Sequence, residues 1–254
     1  MKLTIVGYYG GYPAQNKASS VYIIEKDGFI IVLDMGSGAL SKLPNYVDIG
    51  DIDAVILSHY HTDHIADVGV LQHAKLIQYY TTDNDTILPI YGHREDIDAF
   101  TRLNHDYTKA VPYYPSETMK LGPFFIRFLK TKHSVPCYGM RITDGDSSLI
   151  YTADTAFQEE WIPFCQNADL LLADTNFYAN MDAASSGHMT SKEVGNIAEA
   201  AHVKEVILTH LPHFGNHNNL VTETKSVFSG KVSLAYEGLV WENGQISSSK
   251  MENK

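Results

Sequence analysis

His59-Tyr60-His61-Thr62-Asp63-His64 places three imidazoles and one carboxylate within six consecutive residues. The cluster follows Ala54-Val55-Ile56-Leu57, a short aliphatic run that reads as a buried strand. A helical pattern begins near His64. Ile65, Val68, Leu71, Leu76 and Tyr79 continue it, which predicts a helix to about Tyr80. The cluster therefore sits on a tight strand-to-helix turn, where neighbouring side chains can converge. Imidazole suits zinc, and an added carboxylate widens the choice to manganese and iron. A chance run of polar loop residues seldom concentrates metal donors so densely.

Other donors stand at the ends of predicted strands. Phe124–Lys130 delivers His133. A hairpin of Tyr138–Thr143 and Ser148–Ala153, around Asp144-Gly145-Asp146, delivers Asp154. Ala168–Ala173 delivers Asp174, and Glu205–Thr209 delivers His210. A core residue belongs inside a strand rather than just past its end, so this regularity points to one shared site. The remaining strands are expected at Leu3–Val6, Val21–Glu25, Phe29–Asp34, Leu88–Tyr91, Val232–Tyr236 and Leu239–Trp241. Lys26-Asp27-Gly28 turns the first hairpin. Helices are expected at Ala39–Leu43, Glu95–Leu103, Ser191–Ala201 and Leu220–Phe228. Thr190 and Glu193 form a capping-box pair for the third of these. The Gly-rich segment Gly7–Ser20 reads equally as backbone that approaches a ligand or as a plain flexible loop.

The 254 residues suit one large sheet-based domain over 1–246, followed by an unstructured tail over 247–254. A formal charge of −11, from 19 Lys+Arg against 30 Asp+Glu, opposes tight non-specific binding of long nucleic acids. Cys137 and Cys165 are too few for a disulfide framework and read as small core residues. No signal-peptide pattern and no membrane-length apolar run is seen, so a cytoplasmic, membrane-free protein is expected.

This many donors is naturally satisfied by two divalent metal ions. His59, His61 and His133 would hold one; Asp63, His64 and His210 the other. Asp154 would bridge them through its two carboxylate oxygens. A water between the ions becomes the nucleophile near neutral pH. His188, in Gly187-His188-Met189-Thr190 at a predicted helix start, could donate to a substrate oxygen, with Asp174 fixing its tautomer. His73, His93, His105, His202, His213 and His217 are read mostly as surface or helix histidines.

The series His59-Tyr60-His61-Thr62-Asp63-His64, His133, Asp154 and His210 resembles the metallo-β-lactamase-fold hydrolase superfamily over nearly the whole chain. The resemblance implies an α/β fold, a four-layer αββα sandwich of two mixed β-sheets, with a dinuclear site at one sheet edge. Gly7…Gly10-Gly11-Tyr12-Pro13, Leu172-Ala173-Asp174-Thr175-Asn176-Phe177 and Gly187-His188-Met189-Thr190 are similar to the ribonuclease Z-type phosphodiesterase branch. That branch implies an Asp174–His188 pair that helps protonate the leaving group. As a whole the chain is similar to uncharacterised bacillus-type metallo-hydrolases.

Two departures bear on substrate. Only 134–153 separate His133 from Asp154, which leaves no room for the arm with which ribonuclease Z grips tRNA. Lys17-Ala18 stands where that family's first loop carries Arg-Asn. The expected substrate is therefore a small phosphodiester, such as a cyclic nucleotide or a short RNA end. Zinc is the expected metal, with manganese or iron as the other candidates, and Asp63 is counted with Asp174 and His188 as catalytic. A thioester- or lactone-type acyl hydrolase on the same site is the alternative, and a non-catalytic metal-stabilised binding protein is the third reading. The resemblance also implies a homodimer.

Overall fold

The computed structural model describes residues 1–82 and 84–249, which form two compact units. The first comprises Met1–Tyr113 and the segment returning from Tyr236; the second is Tyr114–Ala235. Each is built on one mixed sheet.

The sheet of the first unit has eight strands: β1 (Lys2–Gly7), β2 (Val21–Lys26), β3 (Phe29–Leu33), β4 (Ala54–Ile56), β5 (Leu88–Gly92), β6 (Thr108–Pro112), β14 (Leu239–Glu242) and β15 (Gln245–Ser248). Their spatial order is β15-β14-β1-β2-β3-β4-β5-β6. β3, β4, β5 and β6 run parallel, whereas the β1, β2, β14 and β15 pairings are antiparallel. Parallel strands are covered on both faces and need continuous aliphatic runs. β4 accordingly reads Ala54-Val55-Ile56 with all three residues buried. Its core continues through Val6, Val32, Met35, Leu43, Leu57 and Leu71.

The second unit carries seven strands: β7 (Met119–Leu121), β8 (Phe124–Lys130), β9 (Tyr138–Thr143), β10 (Ser148–Tyr151), β11 (Leu170–Asp174), β12 (Glu205–Thr209) and β13 (Lys231–Leu234), in the order β13-β12-β11-β10-β9-β8-β7. β10 to β13 are parallel; β9 is antiparallel to both β8 and β10. β8, β10, β11 and β12 therefore all finish at the same edge. Central β11 and β12 are wholly buried, whereas β8 alternates buried and exposed residues through most of its length.

The helices are α1 (Ala39–Lys42), α2 (Thr62–Ile65), α3 (Val68–Thr81), α4 (Ile97–Thr101), α5 (Trp161–Cys165), α6 (Ser191–Ala200) and α7 (His217–Lys225). Thr190 and Glu193 close the expected capping box of α6. The single helix expected from His64 to Tyr80 is instead two, α2 and α3, parted at Ala66-Asp67. Asp67 N donates to Met35 O and Asp67 Oδ2 accepts from Leu40 N, so this residue ties the break to the loop after β3 and to α1. α7 begins three residues before the expected Leu220, because Asn216 caps it by accepting from Asn218 N. Short β6, β7, α5 and β15 were not foreseen. Ser247 and Ser248, expected in an unstructured tail, pair in β15 with Val240 and Leu239; residues 250–254 of that tail lie outside the described residues. Cys137 and Cys165 are buried and form no disulfide. Burial pushes the Cys165 thiol up to about 12. Among the described residues no helix is long and apolar enough to cross a membrane.

Candidate metal centre

In the first unit the donor turn follows β4, and β3 ends beside it because the two strands are parallel. Asp34, the residue after β3, is fully buried with φ at 56°, a left-handed backbone unusual for a non-glycine residue. Its carboxylate organises the turn. Asp34 Oδ1 accepts from Ser58 N at 2.7 Å, and Oδ2 accepts from Ser58 Oγ at 2.8 Å and from His64 Nδ1 at 2.8 Å. The Ser58 hydroxyl proton is thereby committed to Asp34. Ser58 Oγ, 3.0 Å from His59 Nδ1, must accept there. Both His59 and His64 consequently carry their proton on Nδ1 and their lone pair on Nε2. This is the usual arrangement behind metal-binding imidazoles.

The His59 ring lies 4.8 Å from that of His61 and 4.2 Å from that of His64. Asp63 Oδ2 is 3.5 Å from His64 Nε2 and accepts from Gly11 N at 2.8 Å. The Gly-rich loop thus holds a carboxylate of the donor turn. His93, read from sequence as a surface histidine, is instead 2 % exposed. Its ring packs 4.5 Å from Tyr60, whose hydroxyl donates to His93 O.

In the second unit the shared strand-end edge brings His133, Asp154, Asp174 and His210 together. Asp154 Oδ2 lies 3.8 Å from His133 Nε2, and its Oδ1 lies 3.3 Å from His210 Nε2. His133 Nδ1 donates to Gly187 O at 2.9 Å, which puts its lone pair on Nε2, toward Asp154. The two oxygens of one carboxylate each face the Nε2 of a different histidine, all three side chains being nearly fully buried. Electron-rich atoms converging in this way fit a cation between them, so the donor chemistry suits divalent metal.

Asp174 ends β11 and is buried. Its backbone N donates to Thr152 Oγ1 at 2.9 Å, while Oδ2 accepts from Thr155 N at 3.1 Å and from His188 Nδ1 at 2.8 Å. Oδ1 is 3.4 Å from His210 Nδ1. Trp161, the first residue of α5, donates from Nε1 to Thr155 Oγ1 and so supports this layer. Burial opposes ionisation of Asp174, but the charge and hydrogen bond of His188, joined by contacts from His210, hold its carboxyl below the usual range. Burial likewise opposes charging of His188, yet Asp174 prevails and raises it above an ordinary imidazole. The His188 ring stacks 5.1 Å from His210 and stands 5.4 Å from His133. Asp154, Asp174, His188 and His210 form a group able to hold an ion within this unit.

Asp34, Ser58, Thr155 and Asn176 were not singled out from sequence. Asn176 Nδ2 donates to His210 O at 2.8 Å and so pins the loop after β11 to the loop after β12. Asp34 shared the signal that exposed the others, a polar residue just past an aliphatic strand. Ala153 and His210 also have positive φ, at 51° and 53°, each just beyond its strand. Strained backbone of this kind clusters at functional sites.

This chain is 50% identical to the probable metallo-hydrolase YhfI of Bacillus subtilis (strain 168), across 95% of this chain and 100% of that protein. The crystal structure of the metallo-beta-lactamase fold protein YhfI from Bacillus subtilis superposes with a TM-score of 0.94 at 51% identity, over 94% of this chain and 98% of that one. A more distant relative is a ribonuclease Z of Metallosphaera sedula, 24% identical over 90% of this chain and 94% of its own length. The family model described as the beta-lactamase superfamily domain matches residues 31–211, so the chain belongs to that superfamily and has the metallo-β-lactamase fold its sequence led us to expect.

Proposed function

We propose that this metallo-hydrolase is a dinuclear phosphodiesterase acting on small phosphodiesters. On this reading the donor sets expected from the sequence would serve two divalent ions, His59, His61 and His133 the one and Asp63, His64 and His210 the other, with Asp154 shared. The observation that carries the reading is the Asp154 carboxylate, whose two oxygens are directed at the Nε2 atoms of two different histidines. A carboxylate placed between two histidines in this way would suit a pair of divalent ions. Zinc suits a donor set of five imidazoles and two carboxylates, and manganese or iron tolerates it.

The chemistry that such ions supply when bound is Lewis-acid polarisation at phosphorus and a water acidic enough to attack at neutral pH. The chain's own residues do the rest. Asp34 and Ser58 hold the His59 and His64 rings in one tautomer. Asp63, anchored by Gly11 N, keeps its carboxylate in place. His188, oriented through Nδ1 by Asp174, presents Nε2 as the proton donor to the leaving oxygen. The ribonuclease Z relative supports a phosphodiester, and the His188–Asp174 pair fits it better than a thioester, whose thiolate departs with less need of a proton donor.

The test is turnover by the metal-loaded protein on bis-p-nitrophenyl phosphate and on cyclic nucleotides, beside a panel of thioesters and lactones. Phosphodiester cleavage that is abolished by chelation and restored by zinc or manganese is expected. Robust thioester or lactone cleavage without phosphodiester turnover would overturn the reading.

A further inference from the structure

The loops after β11 and β12 continue past Asp174 and His210 into an open, shallow surface cavity of about 450 Å³ lined by Tyr178, Asn180, Met181, Phe214, Asn219 and Glu223. That volume falls within the roughly 300–1,000 Å³ of small-ligand pockets. Tyr178 lies four residues after Asp174, and Phe214 four after His210. Besides the Asn176–His210 bond, Tyr178 donates its hydroxyl to Phe214 O at 2.9 Å, so the two loops are joined twice. Gly215, at φ 76°, turns against the Tyr178 ring where a Cβ would meet the hydroxyl at 2.3 Å. Glu223 Oε2 accepts from Ala179 N and from Ser191 Oγ, which secures the other wall. The cavity is thus preorganised rather than a gap between mobile loops.

Its lining is specific in kind. Phe214 and Met181 are 46% and 38% exposed, an apolar pair left facing solvent in a concavity. Beside them stand the side-chain amides of Asn180 and Asn219 and the carboxylate of Glu223. None of the described lining residues is Lys or Arg, so the cavity offers a phosphate no cationic partner and Glu223 repels it. A flat heteroaromatic ring with donors and acceptors on its edge matches all three features. Its face would lie on Phe214 and Met181, and its edge would meet the amides and the carboxylate.

We infer that this cavity is a nucleobase subsite, so that the protein selects nucleotide phosphodiesters over simple alkyl or aryl ones. The inference takes the phosphodiester from the function proposed above and adds the base. Asn219 and Phe214 are specificity residues, outside the metal-ligand set.

The decisive measurement is binding of adenosine 5′-monophosphate against ribose 5-phosphate to the metal-loaded protein by calorimetry. Stacking on an aromatic side chain makes about ten-fold tighter binding of the nucleotide the expected result, with the gap lost in Phe214→Ala and kept in Phe214→Trp. In parallel, kcat/KM for a nucleoside p-nitrophenyl phosphate should fall about ten-fold in Phe214→Ala and in Asn219→Ala, mainly through KM, while turnover of methyl p-nitrophenyl phosphate, whose non-leaving group has no ring to place in the subsite, stays within about two-fold. Equal binding of the two phosphates by the unaltered protein overturns the subsite. So does a base preference that survives both alanine variants. Absence of phosphodiester turnover alongside base-selective binding would sink the proposed reaction but leave the subsite standing.

Discussion

His64 donates its Nδ1 proton to Asp34 Oδ2 across 2.8 Å, and both side chains are fully buried. The same oxygen takes the Ser58 hydroxyl, which in turn accepts from His59. One carboxylate therefore sets the tautomer of two donor histidines. Asp34→Asn puts an amide where three donors converge, and at least one must lose its acceptor. Metal affinity should drop about 10- to 100-fold, as for other outer-shell changes. The metal-free protein should lose about 1–3 kcal/mol of stability from the unsatisfied buried group. Competition titration against a chelator checks the first, urea unfolding the second. Unchanged metal retention would remove Asp34 from the site.

Gly187 joins the two functional loops of the second unit. Its carbonyl accepts from His133 Nδ1, its φ is 74°, and a Cβ would sit 2.7 Å from that same nitrogen. Gly187→Ala should displace His133 and, one residue on, His188. The strain costs about 1–2 kcal/mol, so the variant should still fold while its metal affinity falls well below that of the parent. Thermal melts with and without added zinc measure both quantities together. A full zinc-induced rise in Tm would refute the linkage.

His188 tests the chemistry more sharply than the metal ligands do. His188→Ala should lower kcat on a cyclic nucleotide by about 10²–10⁴-fold if the imidazole supplies the leaving-group proton. The loss on bis-p-nitrophenyl phosphate should be much smaller, because nitrophenolate departs without a proton. Asp174→Asn should follow the same pattern more mildly, since it orients the ring through the 2.8 Å bond. Equal losses on both substrates would instead mark a structural or metal-holding role.

Asp169 gives a pH-dependent stability test remote from the donors. Burial alone would raise its carboxyl, but the Lys204 hydrogen bond and the backbone and hydroxyl of Ser148 outweigh this and hold it below its ordinary 3.8. Asp169 Oδ2 accepts from Ser148 N at 2.7 Å and Oδ1 from Lys204 Nζ at 2.7 Å, so it ties the starts of β10 and β12 to β11. A depressed folded-state value stabilises the protein above the unfolded value. That stability is lost as pH falls through the folded value. Asp169→Asn should therefore cost about 1 kcal/mol at neutral pH, and the gap to the parent should begin to shrink below pH 3.8 and close only once pH falls past the lowered folded-state value. A gap that is the same at neutral and strongly acid pH would show that geometry, not charge, matters there.

The local part of the site was legible in the residues alone. His59 to His64 are six neighbours on one turn, and their density needs no tertiary knowledge. His133 follows β8, whose residues alternate, and was read only from its place past a strand end, but Asp154, Asp174 and His210 stood out for a further reason. Parallel strands announce themselves as uninterrupted aliphatic runs, and the residue just past each run must emerge at one edge. The short edge strands β6, β7 and β15 gave no such signal, because an edge strand buries little and its sequence stays mixed. What only tertiary structure decided is which polar residue serves which. Asp34 looks from sequence like an ordinary strand-ending aspartate. Its role comes from a left-handed backbone and a hydrogen-bond partner thirty residues away. The cavity beside Phe214 likewise exists only because two loops, separated by the whole of α6 and β12, are bonded to each other. Chain-local patterns carry strand, helix and donor identity; partnership between distant side chains is settled by packing, which no short window of residues contains.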